Sequence, residues 1–141
     1  MVAALCAENP MGVNSMYELK ITDEFSAAHQ LNFFKTGCER LHGHNWKVEV
    51  YVQGKKLNPD GILIDFKELK KILKEVLSPL DHRFLNELEP FNTISPSSEN
   101  LASFLFKEIQ KRLPTKDVKV SKVTVWESDN SCASYLGELD G

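Results

Sequence analysis

Three of the four histidines in this chain, His29, His42 and His44, are spaced to suit one tetrahedral zinc ion with its fourth position open. His42 and His44 are separated only by Gly43 and open an alternating run that continues to Val52. Even positions of that run share one face of a strand, so both imidazoles look the same way. His29 ends an earlier strand-like segment that starts at Tyr17, and pairing of the two segments would bring in a third nitrogen. Zinc accepts neutral nitrogen ligands, and three of them leave a place for water or substrate. The bland alternative is a turn or surface pair of histidines, and nitrogen-only ligation also admits other divalent ions. Cys38 stands four residues before His42, in Gly37-Cys38-Glu39-Arg40-Leu41-His42. An inert buried cysteine sits more often in an apolar run than among charged neighbours, so this thiol is placed for chemistry. His82 follows Asp81, an acid able to orient it, although Asp-His pairs also occur simply as helix ends or surface residues.

The elements that must position these groups are legible as period and punctuation. Leu19 and Ile21 alternate with Lys20 and Thr22, which predicts a half-buried strand from Tyr17 to Ala28. A loop follows over residues 30–40, then a second strand from His42 to Gln53 and a turn-rich connection around Asn58-Pro59-Asp60-Gly61. Asp65 with Glu68 makes a capping box, and Phe66, Leu69, Leu73, Val76, Leu77 and Leu80 follow helical spacing until Pro79 closes the helix. Its Lys67, Lys70, Lys71 and Lys74 read as a solvated face. A second helix begins after Pro96, capped by Ser97 or Ser98, with Leu101, Phe104, Leu105, Ile109 and Leu113 as its buried stripe. Val118 to Trp126 alternates again, and a last short strand runs near Cys132 to Leu136. The order ββααββ predicts an α+β fold, a four-stranded antiparallel sheet with two helices on one face. Its two open edges favour self-assembly.

With 141 residues the chain suits a single domain over 16–141, preceded by a weakly ordered tail over 1–15. A formal charge of −3 and the absence of a Lys/Arg block argue against nucleic acid or an anionic membrane as partner. The three cysteines, Cys6, Cys38 and Cys132, form neither a zinc-finger pairing nor a disulfide framework, which suits a reducing, cytoplasmic setting. No stretch is long enough to span a bilayer.

The ordered set Phe25-Ser26-Ala27-Ala28-His29, Cys38 to Asn45, Leu80-Asp81-His82, Pro96 to Asn100, Trp126-Glu127 and Gly137-Glu138 resembles the 6-pyruvoyl- and 6-carboxy-tetrahydropterin synthase family. The resemblance covers nearly everything after Met16. It implies a tunnelling fold, in which subunits join their sheets into a barrel, commonly as a hexamer built from two trimers with active sites between subunits. It also implies a pterin substrate, 7,8-dihydroneopterin triphosphate. By position, His29, His42 and His44 resemble the zinc ligands. Cys38 resembles the general acid/base, with Asp81 and His82 as the rest of the proton relay. Glu127 resembles the pterin anchor, a carboxylate suited to the ring's paired N–H donors. Without the resemblance it reads equally as a solvent-facing strand end. Ser98 falls where the family has a hydroxyl near the pterin, though capping explains a serine there as well. Arg83, Lys35 and Arg40 are the sequence candidates for meeting the triphosphate.

Three residues between Cys38 and His42 resemble the carboxy-type enzymes of bacteria and archaea, and the animal pyruvoyl-type enzymes have a longer insert. The expectation is therefore loss of triphosphate and acetaldehyde to leave 6-carboxy-5,6,7,8-tetrahydropterin, on the route to queuosine. Two alternatives remain beside it. One is the pyruvoyl-type reaction, which keeps both side-chain carbons as carbonyls. The other is a dual activity in which Glu39 serves side-chain cleavage to 6-hydroxymethyl-dihydropterin for folate synthesis. Outside enzymology, the chain also reads as a zinc-binding structural or regulatory module.

Overall fold

The computed structural model describes residues 15–31 and 40–139. The expected N-terminal tail therefore lies, save its last residue, outside the described residues. Strand β1 (Tyr17–His29) and strand β2 (His42–Gly54) pair antiparallel along their whole length, from Tyr17 opposite Gly54 to His29 opposite His42. Alternation explains the burial. Ile21, Phe25, Ala27 and His29 of β1 and Trp46, Val48, Val50 and Val52 of β2 turn to the core, and Lys20, Thr22, Lys47 and Gln53 turn away.

Helix α1 (Phe66–Leu77) starts at Asp65, whose Oδ1 accepts from the backbone N–H of Lys67 at 2.8 Å. Leu69, Ile72, Leu73, Val76 and Leu77 form its buried face, and the helix packs on β1. Phe66, expected in that stripe, is half exposed, because it occupies the first turn beyond the edge of the sheet. Helix α2 (Ser98–Arg112) is capped by Ser97, whose Oγ accepts from Asn100 N at 3.1 Å. It buries Leu101, Leu105 and Ile109 against strand β4 (Val118–Ser128) and strand β5 (Ser131–Tyr135). Both helices and one face of the sheet share a single apolar cluster.

The sheet differs from the expectation in one respect. It has five strands and is mixed, because Arg83–Phe84 forms a short strand β3 parallel to β1 at Ala27 and Ala28. The order across the sheet is β3-β1-β2-β4-β5, the last four antiparallel. The reason is local: Asp81 Oδ1 accepts from Ser26 N at 2.9 Å and His82 N–H donates to Ser26 O at 2.6 Å, which lays the following residues along the β1 edge. A two-residue strand carries no period, so the sequence offered no signal for it. A 3-10 turn, Leu85–Glu87, continues this segment, and Asn86 exchanges two hydrogen bonds with the backbone of Gln30. The end of β1, where His29 sits, is thereby held on the side that β2 does not cover.

Candidate metal centre and active site

His29 and His42 are direct cross-strand partners, and His44 stands opposite the small Ala27. All three rings lie on the core face at one end of the sheet, with centroids 4.6 to 5.0 Å apart. Trp46, fully buried, meets His29 and His44 edge-on at 4.9 and 5.0 Å, and its Nε1–H donates to Ala27 O at 3.2 Å. This indole forms a rigid floor beneath two of the rings.

The hydrogen-bond partners decide which ring nitrogens face inward. His29 Nδ1 lies 2.8 Å from Pro96 O, and His42 Nδ1 lies 2.7 Å from Arg40 O. A carbonyl can only accept, so both Nδ1 atoms carry hydrogen and both Nε2 atoms present lone pairs. Those two Nε2 atoms are 2.9 Å apart. Two lone pairs at that distance repel unless a positive charge lies between them. Glu127 brings a carboxylate to the same place, with Oε1 3.5 Å from His44 Nε2. The ligand atoms of His29, His42, His44 and Glu127 all lie within 4.8 Å of one another. Tetrahedral zinc, with ligands at about 2.0–2.1 Å, has donor-to-donor edges of about 3.3 Å. The donor set and its spacing therefore fit a zinc-sized cation.

Glu127 reaches the cluster because it follows Trp126, which pairs with Lys47, and alternation turns its side chain to the core face that His44 shares. The second carboxylate oxygen, Oε2, accepts from Ser98 Oγ at 3.2 Å. The choice between the two serines is thus resolved by geometry: Ser97 caps the helix, and the buried Ser98 hydroxyl is free to meet Glu127.

Asp81 and His82 are placed together but apart from this cluster. Asp81 Oδ1 lies 3.1 Å from His82 Nδ1. The N–H of Ser26 holds the Asp81 carboxyl below the usual carboxylate range; partial burial opposes this, and His82 adds to the lowering. His82 itself adopts a left-handed backbone conformation, φ 59°, and its side chain is 80% exposed. It borders an open cavity of about 520 Å³ with Ser26, Ala28, Gly43, Asn45 and Arg83. Arg83 shares that cavity, whereas Arg40 is exposed and its carbonyl serves His42. Cys38, Glu39 and Lys35 lie outside the described residues.

Sequence reading missed the two carbonyls that set the tautomers, the Trp46 floor and the presence of Glu127 in the histidine cluster. Only Trp46 left a trace, as the next even residue after His44 on the same strand face.

A family model described as 6-pyruvoyl tetrahydropterin synthase matches residues 18–138. A protein of Archaeoglobus fulgidus, provisionally named 6-carboxy-5,6,7,8-tetrahydropterin synthase, is 38% identical over 113 residues, covering 80% of this chain and 90% of that protein. A Pyrococcus furiosus protein named dihydroneopterin monophosphate aldolase is 37% identical over 105 residues, covering 74% of this chain and 84% of the relative. Among solved structures, 6-pyruvoyl tetrahydropterin synthase of Caenorhabditis elegans superposes with a TM-score of 0.78 at 28% identity, over 88% of this chain and 97% of that one. With a matching family model over most of its length, relatives above a third identical and the same fold, the chain belongs to the 6-pyruvoyl tetrahydropterin synthase family.

Proposed function

We propose that this protein is a zinc-dependent lyase that converts 7,8-dihydroneopterin triphosphate to 6-carboxy-5,6,7,8-tetrahydropterin, with release of triphosphate and acetaldehyde. The observation that carries the reading is the pair of inward-facing Nε2 atoms 2.9 Å apart, each fixed from behind by a backbone carbonyl. Such outer partners are the usual means of orienting metal-ligating histidines. Zinc held by His29, His42 and His44 would supply Lewis acidity that lowers the pKa of the substrate's side-chain hydroxyls.

The chain's own residues do the rest. Cys38, four residues before His42, exchanges protons with the pterin ring and side chain. Asp81 accepts from His82 Nδ1 at 3.1 Å, which fixes the tautomer and leaves Nε2 for proton transfer. Glu127 accepts the paired N–H groups of the pterin, and Ser98 holds one of its oxygens. Within one chain the exposed Asp81–His82 pair stands outside the histidine cluster, so the complete site is built in an assembly, with this pair facing the cluster of a neighbouring subunit. The open edges at β3 and β5 suit the joining of sheets into a barrel, a hexamer made of two trimers.

A second reading is favoured by Glu39 and by the aldolase name of the Pyrococcus relative. In it, Glu39 serves as the base for side-chain cleavage to 6-hydroxymethyl-dihydropterin. The two readings separate when Cys38→Ala and Glu39→Ala are assayed against dihydroneopterin and its triphosphate, with products identified by mass. Loss of 6-carboxy-tetrahydropterin in the cysteine variant alone supports the first, and loss of the hydroxymethyl product in the glutamate variant supports the second. Turnover abolished by chelator and restored by zinc is the common expectation. Stoichiometric metal without any turnover would instead make the protein a metal-binding module.

A further inference from the structure

The role of a pterin anchor and the observed place of Glu127 conflict. An anchor meets the amino group and N–H on the ring edge remote from the side chain, whereas the side chain itself belongs at the metal. Two fused rings separate those positions. Yet Glu127 Oε1 is 3.5 Å from His44 Nε2, and the carboxylate belongs to a donor set no wider than 4.8 Å. A separation of 3.5 Å is close to the tetrahedral edge of about 3.3 Å, so Oε1 stands where a fourth ligand stands. One carboxylate cannot occupy both places at once.

We propose, resting on the zinc reading above, that Glu127 is a displaceable ligand. Its carboxylate closes the metal's coordination shell in the substrate-free protein and moves to the pterin edge when substrate enters, vacating a position as it does so. The exchange breaks one carboxylate–metal bond and transfers no electrons. The holding forces are graded in the sense this requires. His29 is fully buried, and both it and His42 are tied to carbonyls at 2.8 and 2.7 Å. Glu127 is 37% exposed and held by one hydroxyl at 3.2 Å. It also sits at an irregularity of the β4–β5 ladder, between Trp126 and Ser128, where the strand leaves the regular pairing. Its negative charge partly neutralises the cation until the N–H donors of a pterin compete for it. An empty pocket therefore presents a closed metal, and an occupied one an open metal.

The test uses the full chain loaded with cobalt(II), whose visible absorption reports the number and type of its ligands. Cobalt affinity is measured by chelator competition for wild type and Glu127→Gln. Glu127→Asp, which keeps the charge on a shorter arm, replaces the amide variant if that one fails to fold. The expected result is a loss of affinity of roughly 10- to 100-fold in the variant, the scale seen when partners around a metal site are removed. The variant's spectrum without substrate should also differ from wild type, and adding 7,8-dihydroneopterin should change the wild-type spectrum. A variant with wild-type affinity and an unchanged substrate-free spectrum overturns the displaceable ligand and leaves the zinc reading standing. Failure of wild type to take up stoichiometric cobalt overturns the zinc reading, and this inference with it.

Discussion

Replacing His42 by alanine should change the protein's stability with opposite sign in chelator and in zinc. The ring is partly exposed, and its truncation removes edge contacts with His29 and His44 and one hydrogen bond to Arg40 O. Ring contacts of this kind contribute about 0.5–1.5 kcal/mol, and near a surface the lower end applies. The hydrogen bond contributes a similar net amount. Against these losses stands relief of the His29–His42 contact, in which two lone-pair-bearing nitrogens face each other at 2.9 Å. Leaving such a buried polar group poorly matched costs about 1–3 kcal/mol. In chelator the two sides nearly cancel, and the variant should lie within about 1 kcal/mol of wild type. With free zinc at one hundred times its Kd, wild type gains about 2.7 kcal/mol. For a chain of this length that raises Tm by about 8 °C. The variant, lacking one ligand, should show only a small part of the rise. Thermal unfolding followed by circular dichroism, with EDTA and with zinc, measures all four values. A variant that gains as much from zinc as wild type, or one far less stable in EDTA, would refute the reasoning.

Other outcomes follow from the same geometry. Glu49 turns away from the core yet is only 7% exposed; burial pushes its carboxyl up, but hydrogen bonds from Lys20 and Trp126 outweigh it and hold the group below the usual range. Its folded pKa is depressed, so its contribution is present above the unfolded value and lost as pH falls through the folded one. Acid titration of stability should accordingly be shallower in Glu49→Gln than in wild type below the ordinary glutamate range. Gly54→Ala would place a Cβ 2.6 Å from Asp117 O and from Leu63 Cδ1. Forced repacking of that kind costs about 1–3 kcal/mol, readable as a lower denaturant midpoint with unchanged slope. Asp81→Asn should lower turnover by roughly 100-fold through loss of the oriented His82, while zinc content stays at the wild-type level; equal loss of zinc would show that the pair acts on the metal site rather than on proton transfer.

The two strands, both helices, the Asp65 cap and the common direction of His42 and His44 could be read from the chain, because period and capping depend on neighbours within a few residues. The convergence of His29 was a pairing hypothesis that the register, His29 opposite His42, turned into geometry. Other features depended on contacts across long separations. Strand β3 exists because Asp81 and His82 grip Ser26, and two residues have no periodicity to betray them. Glu127 joins the histidines only because β4 pairs with β2 in a register that turns it beside His44 and brings Ser98 Oγ against it. The ring tautomers were set by the carbonyls of Pro96 and Arg40, groups that every residue carries and no sequence pattern marks. Side-chain type and local spacing therefore determined which residues had the chemistry to hold a metal. Only the tertiary structure decided which of their atoms face one another, because register and backbone acceptors are fixed by packing between distant segments.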